Sequence, residues 1–310
     1  MLVPSLPRFQ SLHRPCWRAW LAGVLTTAMV GLSALPALAG DPFRPNAPHT
    51  IGDATEATFR ALFYEGNYTS AQRLANQAMA AEPNEPMNYA IAAALSYLDQ
   101  DLSALLQRAQ QTQSVAAALK ETDPLRGHLY TAVGLFMEGA HLIQTQGLIR
   151  GTPTVLRMLQ RVFSELSAAE AISPNDPELS LLKGFMDLLL SVNLPFANPD
   201  QAISRLQQGH PDYLSQRGIA IGLRDLQRYD EALGAVNRAL AAAPNNPDLI
   251  YLKAQILFLK QDHQASLPYY AAALAQADQL PVATVRQIRY EECQAQGHNS
   301  STCLTRAGLN

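Results

Sequence analysis

Lysine is scarce in this chain of 310 residues, where it occurs only at Lys120, Lys183, Lys253 and Lys260. No run of basic residues is present that could hold nucleic acid or an anionic membrane surface, since both need clustered cations. From Gly40 onward the chain has 20 basic and 26 acidic residues, a net charge of about −6. We therefore expect no nucleic-acid partner.

Motifs of catalysis and of metal binding are also missing. The sequence has no G-x-S-x-G elbow, no glycine-rich phosphate loop and no C-x-x-C pair. Its histidines are scattered and never stand at a metal-binding spacing from a second ligand. We therefore predict no catalytic residue, metal site, cofactor or small-molecule substrate.

Cysteine occurs three times, at Cys16, Cys293 and Cys303. Cys16 lies in an N-terminal segment that we predict below to be removed. Two cysteines then remain, an even number, in a chain that we expect to reach an oxidising compartment. A polar turn around Gly297 separates the remaining two. We predict a disulfide that pins the C-terminal tail and contributes about 2–3 kcal/mol. Two free thiols are the alternative.

The N-terminal segment, residues 1–39, reads as a signal peptide. Three arginines precede an apolar stretch at residues 21–35, and a small-x-small cleavage site follows at residues 37–39. An uncleaved membrane anchor is the alternative, although fifteen residues are short for a span. The segment has no paired arginine, so a twin-arginine signal is not indicated. It also has no cysteine just after the apolar stretch, so a lipoprotein signal is not indicated either. The mature chain, starting at Gly40, is expected in the periplasm or a comparable lumen, without membrane insertion.

A constant spacing between matching residues is the clearest positive feature. It relates Ala220 to Ala254, Ala232 to Ser266, Val236 to Tyr270 and Ala239 to Ala273. A fixed period of about 34 residues is typical of stacked helical repeats. Pro244 and Pro247 flank the boundary between the copies, where one helix stops and the next starts. Good helix formers dominate, and no alternating β-branched run predicts a strand. The pattern predicts an all-α solenoid of helical hairpins.

The two copies, residues 213–246 and 247–279, resemble the tetratricopeptide repeat (TPR) family. The resemblance is carried by Ile219, Ala220, Leu223, Tyr229, Ala232, Val236, Ala239 and Pro244, and by Ala254, Leu257, Ser266, Tyr270 and Ala273. It implies a right-handed superhelical solenoid of hairpins, whose first helices line a concave groove that binds other proteins.

The chain divides into a signal peptide, a linker, a repeat array and a C-terminal part with a capping helix and the disulfide tail. These are residues 1–39, 40–51, 52–280 and 281–310. The predicted repeats are residues 52–85, 86–122, 123–176, 177–210, 211–246 and 247–280. The third hairpin is lengthened around residues 147–154 and the fourth within residues 192–198.

The resemblance implies a protein or peptide partner in the groove, where aromatic residues and arginine are the usual anchors. The residues expected to line it are Arg60, Phe63, Tyr64, Tyr97, Phe185, Arg217, Arg224, Tyr251, Gln255 and Phe258. The alternative for each of these residues is that its side chain packs between helices in the core and does not line the groove. We expect an extracytoplasmic scaffold, not an enzyme, that holds a peptide or helix during assembly of an envelope or membrane complex. The alternatives are an enzyme or enzyme subunit with a site in the two insertions, and a self-associating solenoid.

Overall fold

The computed structural model describes the backbone of residues 40–193 and 198–309. The predicted signal peptide lies outside the described residues, as do positions 194–197 of the second insertion. The described part contains helices and no strand, so the prediction of an all-α fold is confirmed. The helices are α1 Asp53–Phe59, α2 Tyr68–Ala81, α3 Pro86–Leu98, α4 Leu102–Leu119, α5 Pro124–Ile172, α6 Pro177–Asn193, α7 Pro199–Leu206, α8 Asp212–Asp225, α9 Tyr229–Ala242, α10 Pro247–Leu259, α11 His263–Leu274, α12 Val282–Ala295 and α13 Ser300–Ala307.

Proline and a side-chain cap start several of these helices. Proline is tolerated in the first turn because its missing N–H has no partner there anyway. In α10, Pro247 follows Asn246, whose side-chain oxygen accepts hydrogen bonds from the N–H groups of Asp248 and Leu249 at 3.0 and 3.1 Å. α3 and α5 start in the same way, each with a proline after a capping carboxylate. The boundary predicted between the two strong copies therefore falls at a capped helix start.

Four hairpin turns share one backbone conformation. Gly66, Gln100, Gln227 and Gln261 have φ between 58° and 72°, the left-handed region that favours glycine. The spacing from Gly66 to Gln100 equals that from Gln227 to Gln261, and both equal the repeat period. The turn geometry is therefore imposed by the packing of the paired helices, even where glutamine must adopt a disfavoured φ.

Helix α5 is the exception to a simple pairing of short helices, because its 49 residues include the predicted third hairpin. In a straight helix His128 and Glu165 would be about 55 Å apart, at 1.5 Å per residue. Instead His128 Nδ1 lies 2.6 Å from Glu165 Oε2. The chain therefore folds back within α5, and its two arms pack on each other and on α4.

The small residues of the repeat period lie where helices cross. Ala220, Ala232, Ala254 and Ser266 are all fully buried. Each belongs to α8, α9, α10 or α11, which pack as two neighbouring hairpins. A small side chain at such a crossing lets the helix backbones approach closely.

The array curves so strongly that its first hairpin contacts the fifth and sixth. Asn246 Nδ2 donates hydrogen bonds to the carbonyl oxygens of Phe63 and Tyr64 at 3.0 and 3.1 Å, although these residues are far apart in the sequence. These carbonyls belong to Arg60–Tyr64, a π-helical turn that extends α1. Thr69 Oγ1 likewise donates to the carbonyl oxygen of Asp278 at 2.8 Å. The first hairpin therefore packs against the fifth and sixth, so the first helices do not line a continuously open groove.

Residues 40–51, predicted to be a linker, pack on the hairpins through a few buried side chains, and we call them the strap. Phe43, Arg44 and Ile51 are each 5% exposed or less, and the Phe43 ring packs edge-on against Phe59 with ring centroids 5.1 Å apart. The sequence did not show this packing, because the carboxylate partners of Arg44 lie 132 and 134 residues away from it. Local composition, rich in proline, gave no sign of those partners.

The C-terminal part caps the last hairpin. Helix α12 packs on α10 and α11, and α13 packs on α12. Cys293 in α12 and Cys303 in α13 are buried, with their sulfur atoms 2.11 Å apart. The structure thus brings together the two cysteines predicted to pair. Among the described helices, none is long and apolar enough to cross a membrane.

Candidate functional site

Three of the residues predicted to line the groove lie at the contact between the first hairpin and the fifth. The Tyr64 ring packs edge-on against Tyr213 at 5.5 Å, and Arg60 stacks over the other side of Tyr64 with 4.8 Å to the ring centroid. Phe63 packs against Phe59 at 4.8 Å. Arg60 is exposed, while Phe63 and Tyr64 are half-buried in this contact.

Arg217 lies at the contact with the sixth hairpin. Its guanidinium pairs with Asp248 at 2.7 Å, and the Tyr68 hydroxyl contacts both groups. Burial, together with the charge of Asp248, raises the pKa of Tyr68 well above its ordinary value, so the phenol stays protonated. Arg217 therefore has a partner within the chain and joins hairpins one, five and six.

Arg224, Tyr251 and Gln255 form a hydrogen-bonded row across α8, α10 and α12. Arg224 Nη1 donates to Gln255 Oε1 at 2.7 Å, and Gln255 Nε2 donates to the Tyr251 hydroxyl at 2.8 Å. Gln255 also reaches Glu291 Oε1 at 3.2 Å. Tyr251 is buried, whereas Arg224 and Gln255 keep part of their surface in solvent. The row connects the fifth hairpin to the C-terminal cap.

The remaining predicted residues lie apart from this row. Phe258, one turn beyond Gln255 on α10, packs edge-on against His263 at 4.7 Å and is half-buried. Tyr97 accepts a hydrogen bond from Gln144 at 3.2 Å on another side of the array. Phe185 packs on Gly218, where an added Cβ would come within 2.6 Å of the Phe185 ring. The structure therefore does not bring the ten predicted residues into one continuous groove.

The part-exposed residues Arg217, Arg224, Gln255 and Phe258 of α8 and α10 form what we call the inner face. Beside it lies a pocket of about 180 Å3, between Arg217, Asp248 and an apolar wall. The wall consists of Leu62, Phe63, Tyr68, Ala94, Leu95 and Leu98. Leu98 is 37% exposed, so the pocket combines accessible apolar surface with an ion pair.

The strongest electrostatic feature is a buried charge network under the strap, which sequence reasoning missed. Arg44 holds Asp176 in a forked pair, with Nε 2.6 Å from Oδ2 and Nη2 2.8 Å from Oδ1. Its Nη2 also lies 2.9 Å from Glu178 Oε2, and its Nη1 lies 2.9 Å from Asp41 Oδ2. Although burial alone would lower it, these carboxylates raise the pKa of Arg44, so the guanidinium stays charged.

A second arginine completes the network from α5. Arg126 makes a forked pair with Glu85 at 3.0 and 2.7 Å, and its guanidinium stacks over the Tyr130 ring at 5.2 Å. The Tyr130 hydroxyl donates to Glu178 Oε1 at 2.5 Å. Glu178, on α6, is therefore shared between the strap and α5.

The carboxylates have a common structural role at the starts of the first helices. Glu82 accepts from the N–H groups at the start of α1, and Glu85, Asp123 and Asp176 cap α3, α5 and α6. Each helix start carries about half a positive charge, which stabilises the facing carboxylate. The four starts surround an open cavity of about 1130 Å3 beside the strap. Its carboxylates are already paired, and within residues 40–193 and 198–309 no group of three ligating side chains could hold a metal.

Asp41 holds the strap in its own bend. Burial raises its pKa, but the Phe43 N–H, the Arg44 charge and the His49 N–H together outweigh burial and lower it. The Phe43 N–H lies 2.8 Å and the His49 N–H 3.0 Å from the Asp41 carboxylate. The His49 ring in turn contacts Asp123, the cap of α5. The one sequence signal for this arrangement was an aromatic residue and an arginine side by side in a segment predicted to be a linker.

The geometry defines a helical-hairpin repeat protein without a recognisable catalytic centre in the described residues. The sequence model of the tetratricopeptide repeat family matches residues 218–281, which span most of α8, all of α9, α10 and α11, and the short turn that follows. The resemblance predicted from the two strong copies is confirmed, because over these residues the chain is similar to the tetratricopeptide repeat family. Proteins of this family are generally non-enzymatic interaction scaffolds.

Two solved structures of repeat proteins are similar to this chain. One is TTC0263, a thermophilic TPR protein of Thermus thermophilus, with 22% identity and a TM-score of 0.44 over 66% of this chain and 98% of that one. The other is the TPR2AB domain of yeast Sti1 in complex with pHSP90, with 18% identity and a TM-score of 0.35 over 78% of this chain and 98% of that one. No curated protein sequence matches the chain.

Proposed function

We propose that the chain is an extracytoplasmic scaffold that binds an extended peptide or a helix of a partner protein at its inner face. The proposal rests on one observation: the residues that match the family model include most of the residues of the inner face. Residues 218–281 include Arg224, Gln255 and Phe258, which remain part-exposed after the array has closed. Aromatic residues and arginine are the side chains that most often anchor protein interfaces.

The chemistry of the inner face favours a partner with an apolar side chain beside a carboxylate. The pocket next to Arg217 offers apolar surface to the first. The guanidinium of Arg224, which already bonds Asp225 through Nε and Gln255 through Nη1, offers its remaining N–H donors to the second. The row formed by Arg224, Gln255 and Tyr251 fixes that guanidinium, so little side-chain entropy is lost on binding.

Site-specific photocrosslinking in the native compartment tests this proposal. A photoreactive phenylalanine analogue at position 258 should capture a partner protein, and Arg224→Ala should reduce the yield without changing helix content. Position 237 is the control, because Asn237 is exposed on the outer helix α9. Equal capture from both positions, or none from position 258, would reject the inner face.

Export and the C-terminal disulfide belong to the same proposal, and both rest on the N-terminal sequence and the buried cysteine pair. Mass spectrometry of protein from the native compartment should find a chain that starts at Gly40, with Cys293 joined to Cys303. Alkylation of both cysteines without prior reduction, or an intact segment before Gly40, would contradict it. Export supports a role in assembly of an envelope or membrane complex.

A further inference from the structure

The strap has the properties of a bound peptide rather than of a structural element. Pro42, Pro45 and Pro48 remove backbone donors along it, and its side chains from Pro45 to Pro48 are exposed. Its backbone N–H groups bond to Asp41 within the strap or to Glu56 at its first residue. The strap is therefore held on the hairpins mainly by a few side chains.

Two adjacent side chains provide the main anchors. The Phe43 ring enters an apolar region next to Phe59, and the Arg44 guanidinium reaches the carboxylates of Asp176 and Glu178. Both anchors are at least nine-tenths buried, whereas Asn46, two residues beyond them, is exposed. A proline-spaced segment with a few buried anchors loses little conformational entropy on binding, which is typical of extended peptide ligands.

The surface beneath the strap is complementary to those anchors. Glu178 is fully buried and Asp176 nearly so. With Arg44 removed, the described residues would leave Glu178 beside Arg126, at 3.5 Å, and Asp176 without an ion-pair partner. Because such carboxylates are unfavourable without a counter-ion, the surface selects a guanidinium next to an aromatic ring.

We propose that the strap is an intramolecular ligand of a peptide-binding slot between α1, α5 and α6. Its occupant in a complex is a partner segment of the same chemistry: extended, with an aromatic residue followed by arginine. The strap and this partner segment compete for the slot. The slot is separate from the inner face, so this proposal stands or falls independently of the one above.

The test uses the whole mature chain with a protease recognition sequence inserted between Thr50 and Ile51. After cleavage, a fluorescent peptide of residues 40–50 is added in excess, and its uptake is followed by anisotropy and by native mass spectrometry. We expect one labelled peptide per chain, with release of the unlabelled strap. A peptide with Arg44→Ala should bind at least ~30-fold more weakly, because it leaves buried carboxylates unpaired. A peptide with Phe43→Ala should also bind more weakly, and the control peptide with Asn46→Ala should bind like the original.

Several results would overturn the proposal. One such result is that the cleaved chain unfolds. Another is that its own strap does not exchange with a large excess of labelled peptide over days. Either result would show that the strap is a structural element. Equal binding of the Arg44→Ala and original peptides would show that the slot does not select arginine. If uncut chains instead form dimers that Arg44→Ala abolishes, the occupant is a second copy and not a separate partner.

Discussion

Replacing Arg44 by methionine should destabilise the protein by about 3–5 kcal/mol, the usual effect of removing one partner from a buried ion-pair network. Arg44 is 5% exposed and is bonded to Asp41, Asp176 and Glu178, which are 0–5% exposed at the side chain. Methionine keeps most of the length of the side chain, so the loss comes from carboxylates left without their counter-ion rather than from a cavity. For a chain of this size the loss corresponds to a fall in thermal midpoint of about 6–20 °C.

Urea and thermal denaturation followed by circular dichroism measure this loss, with Arg228→Met as the matched control. Arg228 also pairs with two carboxylates, Asp200 and Glu231, but all three groups are at the surface. Water and salt screen such pairs, so the control should leave the midpoint nearly unchanged. Equal effects of the two variants would refute the argument from burial.

Neutralising the carboxylates should rescue the Arg44 variant. Adding Asp176→Asn and Glu178→Gln to Arg44→Met removes two of the three charges that lose their partner, while keeping the shapes of the side chains. Asparagine can still cap α6. The triple variant should therefore recover at least roughly half of the lost free energy of unfolding. If it is less stable than Arg44→Met alone, the network is not held by charge.

Three further outcomes follow from the packing, the turns and the strap. Ala254→Leu should lower the free energy of unfolding by about 1–3 kcal/mol in urea denaturation, because Ala254 is fully buried, whereas the exposed Ala272→Leu should have little effect. Gln261→Gly should raise the thermal midpoint, because glycine adopts the φ of 72° without strain, and the free energy of unfolding should rise by about 0.5–1 kcal/mol. The control Gln207→Gly, at a φ of −64°, should lower the midpoint. Because the pKa of Asp41 is lowered in the folded chain, its contribution is present above about pH 4 and is lost as the pH falls through the folded value. The protection of the strap from hydrogen exchange, after correction for the intrinsic rate at each pH, should therefore fall in acid, and Asp41→Asn should remove that dependence.

The helices of the two strong copies could be read from the sequence because the pattern that specifies them is local. A constant repeat period, small side chains at fixed positions and a proline-bounded turn all act within one hairpin or between neighbours. Ala220, Ala232, Ala254 and Ser266, which follow this period, are all fully buried in the structure. The same holds for the helical class of residues 40–193 and 198–309, since helix formers dominate and strand patterns are missing.

The candidate site was only partly predictable. Sequence position places Arg224, Gln255 and Phe258 on first helices, and the structure keeps them part-exposed. The sequence could not show that Arg217 contacts Asp248 and Tyr68, because that contact depends on where the first hairpin lies relative to the sixth. The glutamine turns were missed as well, since glutamine has no intrinsic preference for the left-handed φ it adopts there.

What the sequence determined by itself is the hairpin, and what only the tertiary structure decided is how the hairpins close. Curvature is the sum of small rotations between successive hairpins, so no single residue encodes it. Its consequences are contacts across 183 residues, from Asn246 to Phe63, and across 132 residues, from Arg44 to Asp176. Neither pair carries a sequence pattern, because an amide, a carbonyl, a guanidinium and a carboxylate become partners only when the folded backbone brings them within hydrogen-bonding distance.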